Sequence, residues 1–208
     1  MLTIVTRCYN RPLAFKRCLR SIERQTSENF EHVLIIDEIG RGIRWANKQI
    51  AEVGSETSGH YIYILDDDDF LLNENFVSDF TSLINKKLIT PQLVIVKGWI
   101  LEKEVPVRWE RPPKRGQIGA PNFIVRRDLF KKFSKYWGVS RAGDWNFIRN
   151  VMNVIPVDDF FWWDKFVFYA DPSVGKSEKL KNELRNEIEM KHLERQKNES
   201  SIHSSGNA

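Results

Sequence analysis

The sequence predicts an α/β protein in which a mostly parallel central sheet has helices on both faces. Short stretches rich in β-forming residues occur at residues 2–6, 32–37 and 61–65. A stretch with the apolar spacing of a helix follows each of them. Strands and helices that alternate along a chain usually form a parallel sheet, because each helix returns the chain across one face of the sheet.

Apolar residues in the predicted helices recur three and four positions apart, which puts them on one face. The first helix has Pro12 in its first turn, where a missing N–H is tolerated, and its buried face comprises Phe15, Cys18, Leu19 and Ile22. Further helices are predicted from about Ile43 to Val53 and over residues 143–152. A fourth strand is predicted over residues 92–100.

The 208 residues are expected to form one domain over residues 1–175 and an extension over residues 176–208. The extension is almost wholly polar and charged, with a thin apolar stripe formed by Leu180, Leu184 and Ile188. This stripe predicts a charged helix over residues 176–195 that binds a partner or a second copy of the chain. The last residues have the composition of a disordered tail.

Charge and cysteine content argue against several classes of protein. The net charge of +4 is scattered, without a lysine and arginine cluster among aromatic residues, so no nucleic-acid partner is predicted. Two cysteines give no disulfide framework and favour a reducing compartment. No apolar run reaches the roughly 18 residues of a membrane span, so we expect a cytoplasmic protein.

Four consecutive aspartates, Asp66–Asp69, follow the third predicted strand directly. They could form an ordinary solvated loop, but like charges this close repel one another, and a bound cation relieves the repulsion. The first two strands also end on polar residues, Thr6-Arg7 and Asp37-Glu38. Because parallel strands end at the same edge of a sheet, we expect the three groups to meet in one cleft.

The residues around the aspartates indicate which cation would bind. A calcium-binding EF-hand loop counted from Asp66 needs glycine at position six and glutamate at position twelve, where the chain has Leu71 and Val77. The four histidines and two cysteines lack the spacing of zinc ligands. Carboxylates at a strand end suit Mg²⁺ or Mn²⁺ together with phosphate oxygens. The aspartates are therefore best explained as a metal–diphosphate site.

Four stretches together resemble family 2 glycosyltransferases with the GT-A fold. They are "LTIVTRCYNRPLAFKRCLRSIERQT", "VLIIDE", "YIYILDDDDF" and "GDWNFI", which occur in the order typical of that family over roughly residues 2–175. The resemblance implies that residues 1–100 bind a nucleotide diphosphate sugar, typically UDP-linked. It implies that residues 101–175 bind a glycan or another hydroxyl acceptor, and that the sugar is transferred with inversion.

The resemblance also implies roles for the residues at the first two strand ends. Thr6, Arg7 and Cys8 would line the nucleotide. Asp37 or Glu38 would bind the base and the ribose, although either residue could simply end a strand and lead into a turn.

The third strand end matches the family's Asp-x-Asp motif at Asp66, Asp67 and Asp68. Asp68 is the expected direct ligand of Mg²⁺ or Mn²⁺. Asp66 or Asp67 would bind the ribose, or bind the metal through water. Asp69 is expected to support the loop or to begin the next helix, where its charge suits the positive end of the helix dipole.

Three positions depart from the family's pattern. Asn47 matches a position in the helix before the third strand, but the arginine usual beside it is displaced to Arg44. Asn47 and Arg44 are both assigned to the donor site. The acidic pair usual before the acceptor helix reads Gly143-Asp144. A histidine often found near the last strand is absent, and Asp171 is the candidate to replace it, unless it only caps the following turn.

Asp144 would act as the general base that takes the proton from the acceptor hydroxyl, unless it is only a carboxylate at a helix N-terminus. Trp99 and Trp145 are candidates to stack on sugars on the acceptor side, although a single tryptophan is more often part of a core.

Two alternative functions remain open. A sugar-nucleotide pyrophosphorylase would need a glycine-rich, basic phosphate loop after the first strand, and "TRCYNRP" lacks one. A non-catalytic nucleotide- or glycan-binding module stays compatible with the sequence, because Gly143 stands where the family has an acidic residue.

Overall fold

A mixed β-sheet forms the centre of the fold, and helices pack on both of its faces. The computed structural model describes residues 1–86, 91–100, 103–109, 113–138, 140–156 and 160–170. In these residues the strands are β1 Leu2–Cys8, β2 Phe30–Ile36, β3 Tyr61–Ile64, β4 Asp69–Leu71, β5 Leu93–Ile100, β6 Lys103–Val105, β7 Phe123–Arg126 and β8 Phe161–Ala170. The helices are α1 Pro12–Glu23, α2 Ile43–Glu56, α3 Phe76–Asn85, α4 Arg127–Phe133 and α5 Gly143–Met152.

Some sequence-based expectations concern residues outside these ranges. Asp171 and the helix predicted over residues 176–195, with the tail that follows it, are not among the described residues and stay predictions. Residues Met1–Ala170 form one compact unit. None of the helices in the described part of the chain has the length and apolar character needed to cross a lipid bilayer.

The strand order is β2-β1-β3-β7-β5-β8-β4, with β6 paired only to β5. The first three predicted strands pair in parallel, as the alternation of strands and helices indicates. β7 runs antiparallel to β3 and β5, and β4 runs antiparallel to β8. β5 and β8 also pair in parallel. The α/β class is confirmed, and the strands whose ends carry the predicted site pair in parallel. Apolar patterning indicates that a strand is buried but not its direction, which explains why the antiparallel strands were not foreseen.

The face of the sheet that carries α2, α4 and α5 has a core dominated by aromatic rings. Phe147 of α5 is fully buried there, and its ring centroid lies 5.0 Å from those of Phe130 and Trp137 and 5.9 Å from that of Phe123. These contacts anchor α5 through its middle, so the packing of Phe147 positions the N-terminus of the helix at the edge of the sheet.

The opposite face is covered by α1 and α3. Cys18 and Ile22 of α1 are buried, as their helical spacing predicts. Phe76 and Phe80 of α3 pack with Trp163 of β8, each with its ring centroid 6.0 Å from that of the tryptophan. Apolar side chains therefore hold a helix layer against each face of the sheet.

Two residues that follow β5 attach their part of the chain to the sheet. Val105 belongs to β6, and Trp109 packs against the ring of Trp162 with their centroids 4.5 Å apart. This aromatic contact attaches Trp109 to β8.

Replacing Phe147 by alanine should lower the free energy of unfolding by about 3–5 kcal/mol, since the change removes a fully buried ring and leaves a cavity. Urea denaturation followed by circular dichroism measures this loss. Ile39→Ala is the control, because Ile39 is 74% exposed and should change stability by less than about 0.5 kcal/mol. Equal losses for the two variants would contradict the assignment of the core.

Candidate active site

The ends of β1 and β3 are joined by an ion pair between Arg7 and Asp66. The Nε atom of Arg7 lies 2.7 Å from Oδ1 of Asp66, and its Nη2 atom donates a hydrogen bond to Oδ2 at 2.8 Å. The two strands are parallel neighbours in register, so both side chains leave the sheet at the same edge. The predicted meeting of these strand ends is therefore present in the structure.

Residues Asp66–Asp69 form a tight turn, here named the aspartate turn. The backbone N–H of Asp69 donates to the carbonyl of Asp66 at 3.0 Å, which closes the turn. Asp69 then begins the short strand β4 and is 6% exposed. The expectation that Asp69 begins a helix is wrong, because α3 starts at Phe76 and β4 first pairs with β8.

Arg11, which the sequence analysis did not single out, contacts two members of the aspartate turn. Its Nη1 atom lies 2.8 Å from Oδ1 of Asp67 and 2.8 Å from Oδ2 of Asp68. The backbone N–H of Tyr9 also donates to Asp67 at 3.2 Å. The segment between β1 and α1 thus places the positive charge of Arg11 against the aspartate turn. The sequence already indicated this contact, because Arg7 and Arg11 lie at the end of the first strand and just after it, while the third strand ends in aspartates.

Burial and mutual repulsion favour protonation of the aspartate turn. Burial raises the pKa of Asp68 to about 6, with a further contribution from the charge of Asp66, while Arg11 acts in the opposite direction. Burial and the neighbouring aspartates raise the pKa of Asp69 well above its ordinary value. A cation at this place would lower both pKa values, since it favours the ionised carboxylates.

Three members of the aspartate turn have carboxylate oxygens close enough together to hold a metal ion. Asp66, Asp68 and Asp69 each offer one carboxylate oxygen, and these atoms lie within 4.8 Å of one another. Ligands about 2.1 Å from Mg²⁺ are at most roughly 4.2 Å apart, so a small closure would complete the set. Arg11 contacts Oδ2 of Asp68 and leaves Oδ1 outside that ion pair. The residues present therefore fit a divalent metal that prefers oxygen ligands.

Asp144 lies in the first turn of α5 and is part of the same electrostatic environment. Burial raises the pKa of Asp144, and the charge of Asp66 adds to this, while the N–H of Trp145 and the charge of Arg7 act against it. A methyl group built on Gly119 would lie 3.8 Å from Oδ2 of Asp144, so the loop before β7 approaches the carboxylate closely. The structure therefore brings Asp144 and the aspartate turn together.

Packing explains why glycine precedes Asp144. A Cβ atom at Gly143 would lie 2.4 Å from the carbonyl oxygen of Trp137 and 2.8 Å from Nδ2 of Asn47. Real Cβ contacts are longer than this, and the carbonyl is backbone that cannot move aside cheaply. An acidic residue cannot occupy position 143 in this packing, so the departure from the family's pattern is a structural requirement of this chain.

Asn47 and Arg44 of α2 have different environments. Asn47 is 1% exposed, accepts a hydrogen bond from Nη1 of Arg7 at 2.5 Å and donates to the carbonyl of Ser140 at 2.8 Å. Arg44 is exposed on the first turn of α2. The cation beside Asn47 is therefore Arg7 of β1, which the sequence analysis placed on the nucleotide.

Asp37 holds the loop after β2 in shape. Its Oδ2 atom accepts a hydrogen bond from the N–H of Gly42 at 3.0 Å, and Gly42 has a φ of 86°, which favours glycine. Burial acts to raise the pKa of Asp37, but the backbone N–H groups of residues 39–42 outweigh it and lower the pKa. The neighbouring Glu38 is exposed.

Thr6 and Cys8 occupy different sides of β1's end. Thr6 is fully buried, and its hydroxyl lies 3.0 Å from Nε2 of His32 on the face of the sheet that carries α1. Its side chain therefore does not reach the cleft. Cys8 is half-buried beside Asp67, and burial together with the charge of that carboxylate raises the pKa of the thiol to about 12.

The two candidate acceptor-side tryptophans both make internal contacts. The ring of Trp99 stacks on that of Phe166 with centroids 4.4 Å apart. Trp145, next to Asp144, is partly buried against the aromatic core beneath α5. Each tryptophan is partly accessible.

Comparison with known proteins establishes the class of fold. A scan of the sequence against protein-family models finds no match, and a search of curated proteins finds none either. The fold, however, is similar to that of GT-A glycosyltransferases, with a curled central sheet flanked by helices. The predicted fold class is confirmed.

Particular solved structures share this fold. TarS 1–349 from S. aureus superposes with a TM-score of 0.60 at 15% identity, covering 81% of this chain and 60% of the TarS chain. The same protein in complex with UDP gives a TM-score of 0.59 at 13% identity, covering 81% and 60%. A glycosyltransferase involved in the glycosylation of the major capsid of PBCV-1 gives 0.51 at 15% identity, covering 91% of this chain and 98% of that chain. At these identities the likeness concerns the fold.

Asp68→Asn should be more stable than the unchanged protein at pH 8 in EDTA, because the ionised carboxylate is penalised in the folded state. With a folded pKa raised to about 6, the stability that Asp68 contributes is present below about pH 4 and lost as the pH rises through 6. The difference between the two proteins should therefore vanish near pH 4. Urea denaturation across pH 4–8 measures it.

Asp128→Asn is the control for this measurement. The hydrogen bond from Arg126 lowers the pKa of Asp128, so its contribution to stability is present above about pH 4 and lost as the pH falls. A pH-independent difference for Asp68→Asn would mean that its carboxylate is not destabilised by burial.

Proposed function

We propose that this protein is an inverting glycosyltransferase that moves a sugar from a nucleotide diphosphate sugar to a hydroxyl acceptor. The proposed donor is linked to UDP. Asp144 carries the proposal: it is a half-buried carboxylate with a raised pKa, and it shares its electrostatic environment with a group of aspartates suited to a metal, in a fold of the GT-A type. TarS, solved with UDP and with UDP-GlcNAc, supports the choice of donor class.

The donor is proposed to bind along the ends of β1, β2 and β3. Asp37 is pre-ordered by backbone N–H groups and is suited to accept hydrogen bonds from a ribose or a base. Cys8 and Arg7 border the same edge of the sheet. Arg44, exposed on α2, is available to a phosphate.

Asp66, Asp68 and Asp69 are proposed to hold Mn²⁺ or Mg²⁺. When bound, this ion would neutralise the negative charge that develops on the departing diphosphate. The aspartates would then be ionised, and Arg11 would keep Asp67 and Asp68 oriented.

Asp144 is proposed to act as the general base. The acceptor oxygen forms the new bond to the anomeric carbon, while the bond from that carbon to the diphosphate oxygen breaks and its electron pair leaves with the nucleoside diphosphate. The proton of the acceptor hydroxyl passes to the Asp144 carboxylate. The raised pKa of Asp144 makes it a stronger base than an exposed aspartate.

Asp144→Asn should lower kcat by about 10²–10⁴-fold and leave the Kd of UDP nearly unchanged, because the carboxylate is needed for proton transfer and not for donor binding. Release of UDP in the presence of donor, acceptor and Mn²⁺ measures kcat, and calorimetry measures Kd. Asp128→Asn is the matched control, because Asp128 is the first-turn aspartate of α4 and should leave the rate unchanged. Transfer at the native rate by Asp144→Asn would exclude it as the base.

Asp68→Asn should abolish the dependence of UDP affinity on Mn²⁺, because an amide cannot offset the charge between metal and diphosphate. Chelation with EDTA should lower the UDP affinity of the unchanged protein to that of the variant. Full UDP affinity in EDTA would contradict a metal-dependent donor site. Nucleotide binding without any sugar transfer would instead favour a non-catalytic binding module.

A further inference from the structure

We infer that Asn47 is a positioning residue that links the aspartate turn to the proposed base Asp144. This inference rests on the proposed function and deepens it. A series of hydrogen bonds, here named the Arg7–Asn47 relay, runs from Asp66 through Arg7, Asn47 and Ser140 to the N-terminus of α5. The relay sets where Asp144 lies relative to the donor's diphosphate.

The relay begins at the aspartate turn. Arg7 contacts both carboxylate oxygens of Asp66, at 2.7 and 2.8 Å, and uses its remaining terminal nitrogen to donate to Oδ1 of Asn47 at 2.5 Å. A guanidinium group can bind in two directions at once because its five N–H groups lie in one rigid plane. Arg7 is therefore held at two points, and its orientation is set by both partners.

Asn47 carries the relay from α2 to α5. Its Nδ2 atom donates to the carbonyl of Ser140 at 2.8 Å. The hydroxyl oxygen of Ser140 then accepts the N–H of Ala142 at 3.1 Å and Nδ2 of Asn146 at 2.8 Å. Ala142 and Asn146 flank Asp144 on the first turn of α5. Three hydrogen bonds on one serine thus hold the segment that presents the carboxylate.

Glycine at position 143 makes this arrangement possible. A Cβ atom there would lie 2.8 Å from Nδ2 of Asn47, so any other residue would push the amide away from Ser140. Asn47 is 1% exposed, and both ends of its amide are hydrogen-bonded within the relay. Asn47 therefore acts on the reaction through Asp144 and not by contact with the donor.

A double-mutant cycle between Asn47→Ala and Asp144→Asn tests the relay. Asn47→Ala should lower kcat by about 10²-fold, since a displacement of about 1 Å of a reacting group has an effect of this size. The Kd of UDP should change by less than about threefold. In the Asp144→Asn background, Asn47→Ala should lower kcat no further, because the group that it positions is already inactive.

Gln49→Ala is the matched control, because Gln49 is an amide on the same helix whose side chain bonds to the exposed Glu52. It should leave kcat and Kd unchanged. Asn47→Asp provides a second variant if Asn47→Ala fails to fold. It keeps an acceptor for Arg7 but loses the donor to Ser140, so it should show the same loss of kcat. A loss of kcat as large in the Asp144→Asn background as in the unchanged protein would overturn the inference.

Hydrogen exchange separates this inference from the proposed function. The backbone amides of residues 142–147 should exchange faster in Asn47→Ala than in the unchanged protein or in Gln49→Ala, whether or not any sugar is transferred. Unchanged exchange in Asn47→Ala would overturn the relay even in an active glycosyltransferase. Faster exchange in a protein without transferase activity would uphold the relay and refute the proposed function.

Discussion

The ion pair between Arg7 and Asp66 is the interaction on which the site depends. It joins the ends of two parallel strands, and the charge of Arg7 also acts on the carboxylates of Asp144 and Asp68. Burial acts to lower the pKa of Arg7, but the carboxylate of Asp66, with smaller contributions from Asp144 and Asp68, outweighs it and raises the pKa, so the guanidinium stays charged. A buried charge of this kind is stable only when paired and hydrogen-bonded, and Asp66 and Asn47 supply both requirements.

The aspartate turn lowers the stability of the fold. Four adjacent carboxylates at the end of a buried strand cost stability, and Arg7 of β1 and Arg11 just after it reduce that cost without removing it. The raised pKa of Asp68 shows that part of this cost in stability remains. Residues that are unfavourable for folding and grouped in a cleft are typical of functional sites, where the cost is recovered on binding a cation or a substrate.

The aromatic core beneath α5 has a functional consequence. The ring of Phe147 packs the middle of α5 against the core, while hydrogen bonds through Ser140 and Asn47 hold its N-terminus. Apolar packing thus determines the position of the helix, and hydrogen bonds determine the direction of its first turn. The proposed role of Asp144 needs both, because a base must lie within hydrogen-bond reach of the proton that it accepts.

The sequence by itself determined the α/β class, the parallel strands at the N-terminus, the span of α5 and the gathering of Asp66–Asp69 at a strand end. These features depend on local periodicity and on adjacency in the chain, which a sequence displays directly. Only the tertiary structure decided that Arg7 pairs with Asp66, that Asn47 reaches Ser140 and that Thr6 faces away from the cleft. Such contacts join residues far apart in the chain. They follow from strand register and helix packing, and neither can be read from the spacing of residue types.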